Sequence, residues 1–280
     1  VQPEEIQALL RLIDDPDPFV QSHIEAALIQ AGQAAIPILE QKWMETTDPN
    51  LQRRIEELLE LIQLETVGHL LHQWRLGAEQ PLFPALLYVA QLRYPSLDVT
   101  KYTHAYRRLI HTTWLQLPPH GDPFEKLLTL NRQLFVQERF QPETTRPDDP
   151  KYYFINEVLD TRRGNTLSLS LLYYLLASEL GLQVGIVSIG SRYLIRYFDG
   201  NLHFYIDPYK SGFVLLAGQL QQILKNVRLS DNLAHYATLS HPYLIIRLIK
   251  HIEDAYQKEG DTHKQQLYAA LRQRIDVQMS

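Results

Sequence analysis

Through the first 140 residues, apolar side chains return every three or four positions, the spacing of helices that bury one face. Val20, Ile24, Ala27 and Leu28 form one stripe, Ile36, Leu39 and Trp43 a second, and Leu51, Ile55, Leu58, Leu59 and Ile62 a third. The same pattern predicts helices over residues 67–76, 84–92, 99–115 and 122–140, with proline-bearing breaks between them. Residues 141–151 hold Pro142, Pro147 and Pro150 and almost nothing apolar, and read as a surface loop. Beyond them the pattern changes. After a short helix over residues 156–161, residues 165–180 are apolar on nearly every side, which predicts a buried central helix stopped by Gly181. Three β-rich runs come next, over residues 184–189, 192–198 and 202–206. Asp199-Gly200 between the last two is a strong hairpin signal. Residues 216–228 and 243–276 return to helix. A buried helix, an antiparallel meander and a helical surround make an α+β fold.

The first stripes belong to an internal repeat. Asp17-Pro18-Phe19-Val20-Gln21-Ser22-His23-Ile24-Glu25 returns 31 residues later as Asp48-Pro49-Asn50-Leu51-Gln52-Arg53-Arg54-Ile55-Glu56. In each copy Asp stands where a helix N-cap belongs and Pro takes the first helical position, where its missing N–H costs nothing. Paired helices at such a period resemble HEAT-type repeats, which implies a stacked helical arm. Two copies are too few to stand alone, so they must pack on the helices C-terminal to them. The expected division is a helical arm over 1–63, a core domain over 64–240 and a C-terminal helical hairpin over 241–280.

Composition narrows the function. The chain has 280 residues, no cysteine and a formal net charge of −5. The missing cysteine excludes disulfides, thiolate zinc sites and a thiol nucleophile. No lysine or arginine cluster offers a nucleic-acid surface, and no apolar run approaches a membrane span. Val1-Gln2-Pro3-Glu4-Glu5 has neither the basic start nor the apolar stretch of a signal peptide. A cytoplasmic protein is expected. Residues 1–63 carry 12 acidic and 4 basic residues. They form either a solvated acidic helix face or a surface for a basic protein partner.

The candidate chemistry lies in the second half. Asn156-Glu157-Val158-Leu159-Asp160-Thr161-Arg162-Arg163-Gly164, then Leu167-Ser168-Leu169-Ser170-Leu171-Leu172-Tyr173, then Leu180-Gly181-Leu182, resemble the SirB-type transglutaminase-like family. Tyr205-Ile206-Asp207-Pro208-Tyr209 and Leu130-Asn131-Arg132-Gln133-Leu134-Phe135 are similar to further elements of it. Tyr256-Gln257-Lys258-Glu259-Gly260-Asp261 looks like its tetratricopeptide-like tail. The resemblance covers roughly residues 85–275. It implies a papain/transglutaminase core, with a nucleophilic cysteine at the N-terminus of the buried helix and His and Asp on the neighbouring strands of the sheet.

In this chain the matching positions hold Thr166, Arg192 and Asp207. A threonine hydroxyl is a poor nucleophile without an adjacent base, and an arginine stays protonated and cannot serve as one. The simpler reading of Thr166 is a helix cap. If Asp199-Gly200 formed a two-residue turn, Phe198 would face Asn201 and Arg192 would face Asp207 directly, giving an ion pair where the family has a hydrogen bond. Ser168 and Ser170, inside the buried helix, are expected to bond backbone carbonyls. His203 is too far along its strand to replace the base. His69 and His72, three apart on one helix, read as ordinary surface residues. No cofactor or metal is expected.

The leading expectation is a non-catalytic transglutaminase-like protein with a degenerate Thr/Arg/Asp triad, a binding or scaffolding module. Its partner would be another protein, held by the acidic arm or the inherited cleft. One alternative is an enzyme of altered chemistry, a hydrolase or transferase, using Thr166, Arg192 and Asp207. Another is a helical-repeat adaptor whose core domain is passive.

Overall fold

The computed structural model describes residues 3–10, 12–13, 17–200, 202–226, 228–230, 232 and 236–276. By compactness the chain divides into two units, neither of them continuous in sequence. The smaller takes Val1–Ala78, Gln91–Leu97 and Gln273–Ser280; the larger takes Glu79–Ala90 and Asp98–Arg272.

The smaller unit is built on α1 (Pro3–Leu10), α2 (Pro18–Ala31), α3 (Ile36–Glu45) and α4 (Pro49–Leu76). The repeated Asp-Pro pairs start helices as expected. Asp17 Oδ1 accepts from the Phe19 N–H at 2.8 Å and Asp48 Oδ1 from the Asn50 N–H at 2.9 Å. Ile6, Ile24, Leu28, Leu39, Ile55, Leu58 and Ile62 close one core. Two expectations differ. Trp43 sits at the surface, 37% exposed, and its indole N–H donates to Glu56 at 2.9 Å. The expected boundary after residue 63 falls inside α4, which runs unbroken for 28 residues.

The larger unit contains α5 (Leu82–Gln91, all but its last residue), α6 (Val99–Trp114) and α7 (Pro123–Asn131), succeeded by a six-residue π-helical stretch, Arg132–Gln137. The expected surface loop is partly structural. Its first residues form β1 (Gln141–Pro142), which pairs in parallel with β2 (Arg163–Gly164) just beyond α8 (Ile155–Thr161). Within it Glu143 is buried, accepting from the Thr145 and Arg146 N–H groups and from Arg163 Nη1 at 3.0 Å. These hydrogen bonds hold its carboxyl well below the usual range, at about 2.

The buried helix is α9 (Thr166–Glu179), with ten of its fourteen residues buried. It packs against β3 (Val184–Ile189) and β4 (Arg192–Phe198) of an antiparallel sheet that continues through β5 (His203–Asp207) and β6 (Phe213–Leu216) in that order. Val187, Leu194 and Tyr205 pack with Leu220 and Leu224 of α10 (Ala217–Asn226). The last two helices are α11 (His241–Glu259) and α12 (Thr262–Asp276, its residues from Gln273 onward in the smaller unit), with Gly260 between them in the left-handed region. This mostly helical architecture around a small antiparallel sheet is the α+β class expected.

One register differs. Phe198 pairs with His203 and Ile195 with Ile206, so the β4–β5 connection is two residues longer than a two-residue turn. Leu202 N–H donates to Asp199 Oδ1 at 2.8 Å inside it. Asn201, expected opposite Phe198, lies outside the described residues.

Candidate functional site

Three local features build the site. The first is the amino end of α9. Asn165, not Thr166, is the cap: its Oδ1 accepts from the Ser168 N–H at 2.9 Å, and Ser168 Oγ accepts from the Asn165 N–H at 3.0 Å. This reciprocal pair satisfies two donors at the buried end. Thr166 is therefore the first helical residue, and its hydroxyl is left to face outward from the helix. It accepts from the Tyr193 N–H at 3.2 Å. One turn on, Ser170 Oγ donates to the Tyr193 carbonyl at 2.7 Å, a backbone carbonyl as expected, though of β4 rather than of its own helix. Positions i and i+4 of the helix thus grip both backbone groups of one strand residue.

The second feature is the end of the sheet. Extending the register one step beyond the Ile195–Ile206 pair places Asp207 beside Leu194. Arg192 lies two residues further along the same strand face, a diagonal rather than a direct neighbour. A long side chain spans that distance, and Arg192 Nη1 reaches Asp207 Oδ2 at 3.4 Å. The pair is uneven. Asp207's side chain is 3% exposed and Arg192's 58%. Asp207 Oδ1 also accepts from the Tyr209 N–H at 3.1 Å. Burial pushes the Asp207 carboxyl up, against the pull of Arg192 and Lys210.

The third feature comes from α11 and from the aromatic run before α8. His251 Nε2 meets the Tyr193 hydroxyl at 2.7 Å. The Tyr153 ring lies parallel to the imidazole at 5.9 Å, and the Tyr193 ring stands edge-on to it at 5.7 Å. Burial pushes the imidazole pKa down, against the nearby Asp254 carboxylate, which favours the neutral ring. Lys258 pairs with Asp148 at 2.8 Å and Asp254 with Lys250 at 2.9 Å.

These features enclose one cavity of about 610 Å³, within the range of small-molecule sites. Thr166, Arg192 and Asp207 all line it, as do Tyr153, Tyr193 and His251. The three positions singled out from sequence are therefore brought together. His251, Tyr153 and the acid pair Asp148 and Asp254 were not legible there. His251 lies 44 residues beyond Asp207, in a helix read only as a tail. Its one signal is position: it flanks the apolar stripe Leu244, Ile245, Leu248, Ile249 and Ile252, next to a buried residue.

The chemistry of the cavity is set by its donors. Among the described residues, no imidazole or carboxylate hydrogen-bonds to Thr166; its protein contact is a backbone N–H. The His251 ring is engaged by a tyrosine hydroxyl rather than by a nucleophile or an orienting carboxylate. His69 and His72 lie in the other unit. The Gln73 amide sits 2.8 Å from His69 Nε2, and among the described residues no group of His, Cys, Asp or Glu could hold a metal ion.

A buried helix whose amino end meets the first strands of an antiparallel meander is the arrangement that the family resemblance implies. The match to known proteins agrees with it: residues 100–250 fit the family model of the transglutaminase-like superfamily, and this chain belongs to that superfamily. Two curated relatives, the UPF0162 proteins of two strains of Xylella fastidiosa, are each 23% identical over 182 residues, 63% of this chain. The chain spans 65% of the length of those relatives. No solved structure gives a significant match. Among the described residues no helix is long and apolar enough to cross a membrane.

Proposed function

We propose that this chain is a SirB-type member of the superfamily that binds through its inherited cleft without turning a substrate over. One observation carries the reading. At the amino end of α9, where the family resemblance implies a thiol and a base, the hydroxyl of Thr166 rests on a backbone N–H and the neighbouring strand position is Arg192. An unassisted hydroxyl beside a guanidinium has no route to an alkoxide at neutral pH. The test is turnover. The full chain, incubated with peptide, amide and ester substrates, is expected to leave them intact. An amidase activity that Thr166→Ala or Arg192→Ala abolished would end the reading.

A specific observation favours a second reading, an enzyme of altered chemistry in the same cleft. Arg192 is largely exposed in an open cavity rather than buried in a filled site. A guanidinium there would polarise or clamp an anionic substrate. Measured turnover of such a substrate, lost in Arg192→Gln, separates the two.

The acidic arm completes the proposal. Its repeated Asp-Pro helix starts support a HEAT-like role, with the excess of acidic over basic residues in 1–63 fitting a basic protein partner. An interaction of that kind weakens steeply with salt; one indifferent to salt would count against it.

A further inference from the structure

We propose that the cleft is a carboxylate site: a ligand's single carboxylate is held by Arg192 and the amino end of α9, and its body lies along Tyr153 and His251. The proposal rests on the reading of the cleft as a binding site and adds the chemical class of what it binds.

The hydrogen-bond donors of the cleft outnumber their acceptors. Arg192 spends one nitrogen on Asp207, in a long contact, and its other donors have no protein partner among the described residues. Thr166 Oγ accepts from Tyr193, which leaves its own proton free to donate. Of the first N–H groups of α9, that of Ser168 is taken by Asn165, which leaves those of Thr166 and Leu167, and this fourteen-residue helix directs the positive end of its dipole toward them. Asn165, which lines the cleft and is 3% exposed, carries a side-chain Nδ2 with no hydrogen-bond partner. A buried amide donor left alone is costly, but that nitrogen is closed to solvent, so the donors offered to a ligand are Arg192, the Thr166 hydroxyl and the first N–H groups of the helix. What is missing from the site is an acceptor.

Charge narrows the acceptor further. The lining holds two cations, Arg192 and Lys258, and three carboxylates, Asp148, Asp207 and Asp254. Lys258 is already paired with Asp148, so Arg192 is the cation with capacity to spare. Asp148 and Asp254 are each paired with a lysine, so Asp207 is the carboxylate an anion would meet beside Arg192, and a phosphate dianion would bring two charges toward it. A carboxylate brings one, and its two oxygens match the fork of a guanidinium. Tyr153 and His251, stacked on each other at 5.9 Å, both line the cleft and offer the remainder of the ligand a partly apolar surface. The carboxylate's source is either the C-terminus of a peptide or a free organic acid.

The test is a calorimetric titration of the full chain at pH 7 with two matched pairs: 3-phenylpropionate against 3-phenylpropionamide, and Ala-Ala-Phe with a free against an amidated C-terminus. Inorganic phosphate is a separate arm. The expected result is that at least one acid binds and that its amide binds about tenfold or more weakly, the loss of a charge-assisted pair. Binding by the tripeptide alone assigns the carboxylate to peptide ends; binding by 3-phenylpropionate as well assigns it to free acids. Arg192→Gln is expected to cost about tenfold with the unfolding midpoint little changed, and Thr166→Val is a second variant should the first misfold. The proposal is overturned by equal affinity for acid and amide, by phosphate binding more tightly than either acid, or by no acid binding up to about 10 mM. Those outcomes leave the absence of turnover untouched, and turnover in the substrate assay leaves carboxylate binding untouched, so the two readings fail separately.

Discussion

Asp207 shows what one side chain contributes. It is nearly enclosed and shares a single long contact with a mostly exposed arginine. Its carboxyl is raised by burial, so ionisation is disfavoured in the folded state. Its contribution to stability is therefore present below the ordinary carboxylate pKa and is lost as pH rises through the raised folded value. Asp207→Asn keeps an oxygen for the Tyr209 N–H and removes the charge. At pH 7 that variant is expected to unfold at a urea concentration no lower than the parent, with any gain shrinking toward pH 4. Glu143 behaves oppositely. Its carboxyl is held down at about 2 by backbone hydrogen bonds and Arg163. The stability it supplies is complete above the ordinary range and is lost as pH falls from there toward 2. Glu143→Gln is expected to flatten the acid limb of a stability–pH profile; an unchanged limb would show that the carboxylate is not responsible. Thr166, Arg192 and Asp207 were legible at this scale because a resemblance fixes them by position. Glu143 was not, because a carboxylate amid three prolines looks the same whether solvated or enclosed.

Among elements, α9 and the meander carry the site, and their joints are specific. Ser170→Ala would leave the Tyr193 carbonyl without its buried donor, at a cost of about 1–3 kcal/mol in urea unfolding. A second joint lies between α7, α9 and the β5–β6 turn. The Tyr173 hydroxyl donates to Asn131 Oδ1 at 2.8 Å, and Asn131 Nδ2 donates to the Gly212 carbonyl at 3.0 Å. Gly212 has φ +78°, and a Cβ there would collide with the Asn131 amide. Gly212→Ala is expected to destabilise by about 2 kcal/mol or more, from the left-handed backbone and the clash together. A midpoint shift near zero would mean that this turn moves freely. Sequence located β3 and β4 to the residue, since alternation and β-branched content agree there. It missed β6, four residues after a glycine, and shifted β5 by one, because Asp199-Gly200 opens a longer connection than the pair usually makes.

For the whole molecule, the decisive fact is that the chain visits its two units in turn. Helix α5 lies before the residues that match the superfamily, 100–250, yet belongs to the larger unit but for Gln91 at its end, and the matched helix α6 joins it there. The short stretches Gln91–Leu97 and Gln273–Ser280 belong to the smaller one. Dividing the chain after residue 118 would strip α5 and α6 from their unit. Neither fragment is then expected to give the dispersed amide spectrum of a folded protein, whereas the full chain is. Two well-folded fragments would show that the units are more independent than their sequence boundaries suggest. This interleaving was not legible because periodicity reports which face of a helix is apolar and not which core receives that face.

The anchored Thr166 hydroxyl has one more consequence. Sites built around a thiolate are open to oxidants, to alkylating electrophiles and to disulfide exchange, and so track the redox state around them. With no cysteine anywhere in this chain and a hydroxyl at that position, the cleft has no thiol to oxidise, alkylate or exchange. Thiol–disulfide exchange is therefore no switch for what binds there.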